Sequence, residues 1–298
     1  MQIFRHIPNQ QQQACALAIG NFDGMHLGHQ ALLKQLTETA KSLGLTSAVM
    51  TFEPHPREFF SPETAPARLS SLREKLEHFA EAGVEVAYVC RFNRRLAGLT
   101  PQAFMQNILR DALNAQAILV GEDFRFGAMR AGSILDFLEA KFNLISLSQV
   151  DLENARVSST RVRSALASGD LNEARLLLNR PYSISGKVVH GAKLGRQLGF
   201  PTANVLMRHE RPALTGVYAV NLDGLNAVAN LGIRPTIAGI SKLKLEVHVL
   251  DFNADLYGKH VHVEFLHKIR DEAKFDGLDA LKAQIALDVE AARIFFKK

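Results

Sequence analysis

The spacing of apolar residues changes once along the chain, near residue 180. Before that point, short apolar runs typical of buried strands alternate with stretches in which apolar residues recur every three or four positions, as in helices. The apolar runs predict strands over 1–7, 15–19, 47–52, 84–90, 117–120 and 142–147. Helical spacing follows the second strand as far as residue 43 and returns over 71–82 and 101–113. Because strands and helices alternate without hairpin signals, we expect a parallel, doubly wound sheet.

After residue 180, short segments of alternating polarity follow one another directly. They predict strands over 182–189, 217–222, 225–231, 243–252 and 261–266. Asp223 and Gly224 form a typical two-residue hairpin turn between two of these strands. Helical spacing returns over 278–296. We therefore expect an antiparallel β-barrel with a C-terminal helix packed on it, and two domains comprising residues 1–180 and 181–298.

Composition limits the classes of protein to which the chain can belong. Of its 298 residues, 47% are hydrophobic and 22% are charged, which is typical of a globular protein, and the formal net charge is +5. This mild basic excess suits nucleotide substrates but does not indicate binding to nucleic acid. The two cysteines lie in apolar runs without zinc spacing, and there is no signal pattern or membrane-spanning run. We expect a cytoplasmic protein without membrane or nucleic-acid partners.

The sequence GNFDGMHLGHQ, residues 20–30, follows the second predicted strand and opens a helix. Its glycines allow the backbone to approach a ligand closely, and a helix N-terminus favours phosphate binding. His26 and His29 are three residues apart, so both can face the same anion. Either histidine alone is more often structural, but the pair after a strand, with Asp23 before it, indicates a phosphate site.

Three further segments place polar and aromatic side chains at the ends of predicted elements. TFEPHP, residues 51–56, and GEDFRFG, residues 121–127, each follow a strand, where α/β sheets bind ligands. RVSSTRVR, residues 156–163, has hydroxyl residues followed by a helical pattern, which is typical of an N-cap and a first turn. Its arginines can bind a triphosphate with two hydrogen bonds each.

The second predicted domain has its own candidate site. GKVVHGAKLGRQLGFPTAN, residues 186–204, has a glycine-rich loop followed by Thr202 and Asn204, whose side-chain oxygens suit Mg²⁺. The loop matches neither the Walker A motif nor the protein-kinase loop. Glu246 could accept a hydroxyl proton. By periodicity alone it lies opposite the apolar face of its strand, as a solvent-exposed glutamate does.

Together, these motifs resemble the bacterial bifunctional riboflavin kinase/FAD synthetase family. GNFDGMHLGHQ and the SSTxxR motif are similar to the two signatures of HxGH nucleotidyltransferases, and GRQLGFPTAN and LEVHVLDF are similar to riboflavin kinase segments. The resemblance implies a Rossmann-like N-terminal domain that transfers AMP from ATP to FMN, giving FAD and pyrophosphate. It implies a C-terminal barrel that phosphorylates riboflavin with ATP and Mg²⁺. The expected partners are therefore ATP, riboflavin and FMN; the oligomeric state is not determined.

The resemblance also implies roles for individual residues. For adenylyl transfer, the implied catalytic residues are His26, His29 and Arg163. The implied ATP contacts of that site are Gly20, Phe22, Asp23, Gly28, Arg156, Ser159 and Thr160. Its implied flavin contacts are Phe52, His55, Phe60, Asp123 and Phe126. For the kinase, Glu246 is the implied general base, Arg270 a flavin contact, and Thr202 and Asn204 the metal ligands. The implied ATP contacts of the kinase are Gly191, Lys193, Gly195, Gly199, Pro201, Thr202 and Asn204.

Two alternatives remain open. One is another HxGH enzyme, acting on pantetheine phosphate or a nicotinamide nucleotide, although such enzymes lack the barrel with its PTAN sequence. The other is an RNA-binding module, although no predicted barrel strand is rich in aromatic and basic residues, and tryptophan is absent. Riboflavin-dependent consumption of ATP would separate these functions.

Overall fold

The computed structural model describes residues 1–191, 194–207, 211–234 and 242–297, which form two compact units. Unit 1 comprises Met1–Pro66 and Leu72–Ser158, and unit 2 comprises Ala67–Ser71 and Ser159–Lys298. The division by contacts therefore falls before the predicted boundary at residue 180. No helix in the described part of the chain is long and apolar enough to cross a membrane.

Unit 1 is built on a parallel sheet of six strands. They are β1 (Gln2–Phe4), β2 (Cys15–Ile19), β3 (Thr46–Glu53), β4 (Val86–Arg91), β5 (Ala115–Gly121) and β6 (Asn143–Leu147). Their order across the sheet is β1-β4-β3-β2-β5-β6, so the chain moves in one direction from β2 to β4 and crosses to the other side of β2 with β5. Such a reversal leaves a crevice at the carboxyl ends of the two strands beside it, where α/β proteins bind ligands.

The helices of unit 1 cover both faces of this sheet. They are α1 (Leu27–Leu43), α2 (Pro56–Phe60), α3 (Leu72–Glu81), α4 (Arg94–Ala97), α5 (Pro101–Ala103) and α6 (Ile134–Glu139). One apolar core contains Leu33 and Leu36 of α1 with Phe79 of α3. The core on the opposite face contains Phe104 and Phe137. The doubly wound architecture predicted from the strand–helix alternation is thus confirmed.

Two local features of unit 1 differ from the prediction. The predicted helix over 101–113 is helical, but Phe104–Ala112 is wound as a π-helix. A short antiparallel hairpin joins β7 (Asp151–Leu152) and β8 (Ala155–Arg156), although the sequence shows no hairpin signal there. Glu153 and Asn154 form its turn with positive φ angles of 53° and 61°. This conformation usually selects Asn-Gly or Asp-Gly, so Glu-Asn did not indicate a hairpin.

Unit 2 contains two helices followed by a closed antiparallel barrel. The helices are α7 (Ser159–Ser168) and α8 (Leu171–Leu178). The barrel strands are β9 (Tyr182–Val189), β10 (Ala203–Leu206), β11 (Gly216–Leu222), β12 (Leu225–Arg234), β13 (Lys242–Val249) and β14 (His260–Arg270). A short helix α9 (Leu194–Gln197) precedes β10, and α10 (Leu278–Phe296) ends the described chain. Helix α8 contacts β9 and β14, which explains its grouping with the barrel.

The barrel confirms the predicted antiparallel architecture and adds one strand. β10 was not predicted, because its four residues follow a glycine-rich loop and a proline. It pairs with both β9 and β13 and thereby closes the barrel. Leu245 and Val247 are fully buried, whereas Lys244 and Glu246 lie on the outer face of β13. As predicted, α10 packs on the barrel, contacting β11, β12 and β14.

Candidate active sites

The first candidate site lies between β2 and α1, in a turn of residues 20–29 that we call the HxGH turn. Phe22, Gly24 and Met25 have φ angles of 50°, 86° and 46°, which turn the chain sharply after β2. His26 is the N-cap of α1, and its side chain makes no capping hydrogen bond. The His26 and His29 rings stack with their centroids 3.7 Å apart. The structure therefore brings both predicted histidines together at a helix N-terminus.

The environment of His29 favours an uncharged ring. Burial, then His26, then Lys75 hold the pKa of His29 well below its usual range. Its Nδ1 atom is buried and has no hydrogen-bond partner among the described residues. A buried imidazole nitrogen without a partner is costly, so the site is suited to a ligand that binds there. Phe22 packs against His29 with ring centroids 5.3 Å apart.

The remaining predicted residues of this turn are packed around the histidines. Asp23 is buried, and Phe22 is fully buried. A Cβ atom on Gly20 would lie 3.1 Å from the Phe22 ring, and one on Gly28 would lie 3.2 Å from the His26 ring. Glycine at both positions therefore allows the rings to lie against the backbone. Phe22 supports the turn from within the core.

A second group of predicted residues lies at the carboxyl end of β5, beside the HxGH turn in the sheet. Asp123 forms an ion pair with Arg156, with 2.6 Å between Oδ2 and Nη2. Phe126 is only 6% exposed and stacks on Phe137 at 4.5 Å in the core. The side chains of Asp123 and Arg156 are thus open to solvent, whereas Phe126 belongs to the apolar layer beneath the loop.

An aromatic cluster lies at the carboxyl ends of β3 and β4. His55 is the N-cap of α2, where its Nδ1 accepts a hydrogen bond from Arg57 N at 3.2 Å. Phe60 is 65% exposed and lies 5.7 Å from Phe92, which also contacts Phe52 and Phe59. Sequence reasoning missed Phe59 and Phe92. Because Phe92 directly follows β4, the rule that ligands bind at strand ends could have found it.

The SSTxxR segment opens α7 in unit 2. Ser159 and Thr160 are its first two residues. The Arg163 guanidinium donates from Nε to the carbonyl oxygen of Ala67 at 2.5 Å. This bond attaches the segment Ala67–Ser71 to α7 within the same unit. The predicted helix is thus present, and it begins at Ser159 within the run of hydroxyl residues.

The second candidate site is a cavity of about 260 Å³ on the outer face of the barrel, which we call the Glu246 cavity. Glu246 pairs in register with Asn204 on one side and with Asn230 on the other. Directly paired residues of antiparallel strands point to the same face of the sheet, so the carboxylate lies between two side-chain amides. The outward orientation expected from periodicity is correct. Helix α10 and residues 270–275 enclose that face, so Glu246 lines a cavity.

Glycines bring the loop before β10 close to the metal-ligand candidates. A Cβ atom on Gly191 would overlap the side-chain amide of Asn204, and one on Gly195 would lie 3.2 Å from Thr202 Oγ1. Asn204 Oδ1 is buried without a hydrogen-bond partner among the described residues. An unsatisfied amide oxygen is a ligand that suits a hard cation such as Mg²⁺. Gly199 has a φ angle of 89° in the turn after α9. Lys193 lies outside the described residues.

Four of the charged side chains that line the Glu246 cavity form two ion pairs. Lys244 Nζ lies 2.5 Å from Glu246 Oε1. Arg270 binds both carboxylate oxygens of Asp288 in α10, at 2.8 Å each. Arg270, the predicted flavin contact, lines the cavity, and Asp288 of α10 holds its guanidinium in place. Sequence reasoning missed Asp288, because nothing in the pattern of α10 distinguishes it from a surface aspartate.

A further cavity of about 350 Å³, which we call the Tyr257 cavity, lies at the end of the barrel where β9 and β13 finish. It is lined by the apolar and aromatic side chains Val188, Val249, Phe252 and Tyr257, together with Pro201 and Thr202. Thr202 lines both cavities. Thr202, a candidate metal ligand, therefore lies where molecules bound in the two cavities would meet.

Both units match known family models. Residues 8–161 match the model described as FAD synthetase, and residues 178–296 match the model described as riboflavin kinase. A crystal structure described as a macrolide-efflux protein from Streptococcus pneumoniae is 32% identical, with a TM-score of 0.81 over 98% of each chain.

Curated relatives match nearly the full length. A bifunctional riboflavin kinase/FMN adenylyltransferase from Pseudomonas fluorescens is 48% identical over 98% of this chain and 97% of its own. The protein of the same name from Escherichia coli K12 is 48% identical over 99% and 98%. The one from Haemophilus influenzae is 45% identical over 99% of both. This chain therefore belongs to the family of bifunctional riboflavin kinase/FMN adenylyltransferases.

Proposed function

We propose that riboflavin is phosphorylated in the Glu246 cavity and that the HxGH turn carries out adenylyl transfer. The enzyme has both activities: with ATP it converts riboflavin to FMN and FMN to FAD. One observation supports the assignment of the kinase site more strongly than the other observations do. It is the position of Glu246 between Asn204 and Asn230 across three strands, with Glu246 and Asn230 lining the cavity together with Thr202.

In the proposed kinase step, Glu246 accepts the proton of the terminal ribityl hydroxyl. The hydroxyl oxygen then forms a bond to the γ-phosphorus of ATP, and the bond from that phosphorus to ADP breaks. Thr202 and Asn204 would hold Mg²⁺, which neutralises phosphate charge. Positioning supplies most of the acceleration in such a reaction, since little covalent chemistry falls to the protein.

The two cavities of unit 2 suit the two substrates of the kinase. We assign riboflavin to the Glu246 cavity, because its base must reach the ribityl hydroxyl and because Arg270 lines it. We assign ATP to the Tyr257 cavity, where aromatic and apolar side chains offer surface to a nucleobase. Thr202 and the glycine-rich loop, including Gly191, Gly195 and Gly199, would then hold the phosphates between them.

In the proposed adenylyl transfer, an oxygen of the FMN phosphate attacks the α-phosphorus of ATP directly and pyrophosphate leaves. The attacking phosphate is already anionic, so no strong base is required. The N-terminus of α1, with His26 and His29, would stabilise negative charge that develops on the phosphates. Roles for Ser159, Thr160, Arg156 and Arg163 in binding the ATP phosphates stay predictions from their motif.

The aromatic cluster around the exposed Phe60 supports flavin binding at the same edge of the sheet. Phe60 and Phe52 are the predicted contacts, and Phe59 and Phe92 extend their surface. The rings of this cluster meet edge to face, with interplanar angles of 75° to 84°. The exposed ring of Phe60 offers a face on which the flat isoalloxazine can stack. His55 and Asp123 are polar groups at the same strand ends. Phe126 would act by supporting the loop of Asp123 from the core.

Two variants test the assignment of the activities to separate sites. Flavins are separated after incubation with ATP and Mg²⁺. Glu246→Ala is expected to abolish conversion of riboflavin to FMN while supplied FMN is still converted to FAD. His29→Ala is expected to do the reverse. If Glu246→Ala abolished both steps in a folded protein, the two-site assignment would be wrong.

We also propose domain bounds, a cellular compartment and the classes of partner for this protein. We keep 1–180 and 181–298 as the functional domains, which is supported by the family models ending at 161 and starting at 178. A cytoplasmic location is supported by two free, buried cysteines, since reduced thiols persist in that compartment. We propose no nucleic-acid or membrane partner.

A further inference from the structure

His248 lies on the same outer face of β13 as Glu246, two residues further along the strand. The register that pairs Asn204 with Glu246, continued by two residues in each strand, puts Thr202 opposite His248. Opposite residues of antiparallel strands point to the same face of the sheet. His248 and Thr202 both line the Glu246 cavity, in agreement with this placement. The histidine is therefore a neighbour of the candidate metal ligand.

The imidazole of His248 is hydrogen-bonded to the residue that directly precedes Thr202. Its Nδ1 atom lies 2.8 Å from the carbonyl oxygen of Pro201. Because a carbonyl oxygen can only accept a hydrogen bond, Nδ1 carries the proton and donates it. The hydrogen bond thereby selects one tautomer of the neutral ring and fixes the orientation of the ring. It also attaches β13 to the end of the glycine-rich loop.

This attachment falls where the strand ladder gives little support. Proline has no N–H group, so Pro201 cannot donate a ladder hydrogen bond to β13. The strand β10 begins only at Ala203. On the other side, Gly199 turns the chain with a φ angle of 89°. The side chain of His248 therefore holds the segment that leads from the glycine turn into the strand.

Phe200 provides a second contact between His248 and the same segment. The two rings meet edge to face, with centroids 5.6 Å apart and an interplanar angle of 85°. This is a favourable arrangement for aromatic rings. The backbone N–H of Phe200 donates to the carbonyl oxygen of Gly195 at 2.8 Å, so Phe200 is itself tied to the glycine-rich loop. His248 thus contacts both residues that precede Thr202.

We propose that His248 is a positioning residue of the riboflavin kinase, whose hydrogen bond to Pro201 holds Thr202 in place for the Mg²⁺ complex of ATP. This inference rests on the proposed role of Thr202 as a metal ligand. Thr202 lines both cavities of unit 2, so a shift of the loop would move its side chain away from phosphates bound between them. Groups that orient a metal ligand typically contribute about 10- to 100-fold to metal affinity or activity.

The first experiment observes the hydrogen bond itself, without substrates. NMR of the ¹⁵N-labelled protein at about pH 9, where imidazoles are uncharged, shows which ring nitrogen carries the proton. The His248 ring signals are assigned through its Cβ resonance, so the measurement needs no variant. We expect the proton on Nδ1. A proton on Nε2 alone would overturn the inference, because a bare Nδ1 and a carbonyl oxygen are both acceptors.

The second experiment separates the donor of His248 from its ring. His248→Asn keeps an N–H donor at the place of Nδ1 and loses the ring, whereas His248→Phe keeps a ring against Phe200 and loses the donor. His267→Phe is the matched control, because His267 on β14 also contacts a phenylalanine ring, that of Phe295 at 5.0 Å, but lines neither cavity. The KM values of the kinase for the Mg²⁺ complex of ATP and for riboflavin are measured, and thermal unfolding reports the integrity of each variant.

In His248→Phe, we expect the KM for the Mg²⁺ complex of ATP to rise about 10-fold, since a group that orients a metal ligand is lost. In His248→Asn, the same KM should stay within about 3-fold of that of the unchanged protein, because the donor is kept. The KM for riboflavin should change less than about 3-fold in both variants. His267→Phe should change neither KM.

Three kinetic outcomes would contradict the inference. One is an unchanged KM for the Mg²⁺ complex of ATP in His248→Phe. Another is an equal rise of that KM in His248→Asn, which would assign the effect to the ring. The third is a raised KM for riboflavin alone, which would make His248 a flavin contact. If Thr202→Ala kept the wild-type KM for the Mg²⁺ complex of ATP, the proposed role of Thr202 would fail, and this result is distinguishable because His248 is intact.

Discussion

The guanidinium of Arg270 and the carboxylate of Asp288 form a two-point ion pair in unit 2, with both nitrogen–oxygen distances at 2.8 Å. Asp288 is 3% exposed and also accepts a hydrogen bond from Gln284. Arg270 ends β14, and Asp288 lies in the middle of α10. The pair therefore fixes the helix that encloses the Glu246 cavity to the strand that lines it.

Replacement of Asp288 by alanine should weaken both stability and riboflavin binding. It leaves the Arg270 guanidinium in a largely buried place without its partner, which typically costs about 3 kcal/mol. We expect a lower free energy of unfolding in urea and a raised KM for riboflavin. The KM for FMN in adenylylation should not change.

Asp251→Ala is the matched control for that change. Asp251 forms the same two-point pair with Arg293, at 2.8 and 2.6 Å, but on the surface. Solvent screens such a pair, so we expect nearly unchanged stability and an unchanged KM for riboflavin. Equal losses in the two variants would contradict the importance of burial at Asp288.

Gly191→Ala should impair the kinase while leaving the protein folded. The new methyl group would overlap the Asn204 side-chain amide and displace its oxygen from the proposed metal position. We expect a higher Mg²⁺ concentration for half-maximal riboflavin kinase activity, measured by Mg²⁺ titration. FMN adenylylation in the same sample is the folding control. An unchanged Mg²⁺ dependence would argue against Asn204 as a ligand.

The two predicted flavin contacts Phe60 and Phe126 should respond differently to replacement by alanine. Phe60 is largely exposed, so Phe60→Ala is expected to raise the KM for FMN without loss of stability. Phe126 is packed against Phe104 and Phe137, and Phe126→Ala leaves a cavity that typically costs about 3 to 5 kcal/mol. Thermal unfolding and FMN kinetics distinguish the two effects. Equal stability losses would show that Phe60 is also part of the core.

Cys15 and Cys90 should be unreactive in the folded protein. Burial raises the pKa of each thiol from 9.0 to about 12. A group whose pKa is raised by folding contributes stability below its unfolded value, and this contribution is lost as the pH rises from 9.0 toward 12. We expect Ellman's reagent at about pH 8 to modify both thiols only after addition of denaturant. Rapid reaction of the native protein would contradict the burial of these cysteines.

The order of strands and helices could be predicted from the sequence because local spacing reflects which side of each element is buried. The C-terminal helix was predicted over 278–296, and α10 has the same bounds. Three of the four strands of four residues or fewer, β7, β8 and β10, were not predicted, whereas β1 was. Such segments are too short for a period to be visible, and pairing partners elsewhere in the chain hold them.

The site residues likewise fall into those that the sequence motifs identified and those whose relationships only the tertiary structure revealed. The motifs by themselves determined the family, the two activities and the neighbourhoods of His26, His29, Thr202, Asn204 and Glu246, because phosphate chemistry requires particular residue types at short spacing. Only the tertiary structure decided that Glu246 lies between two amides within a cavity, that Asp288 holds Arg270, and that Phe79 of α3 packs against Phe22 in the HxGH turn. These relationships join residues far apart in sequence. They follow from strand register and helix packing, which local spacing does not encode.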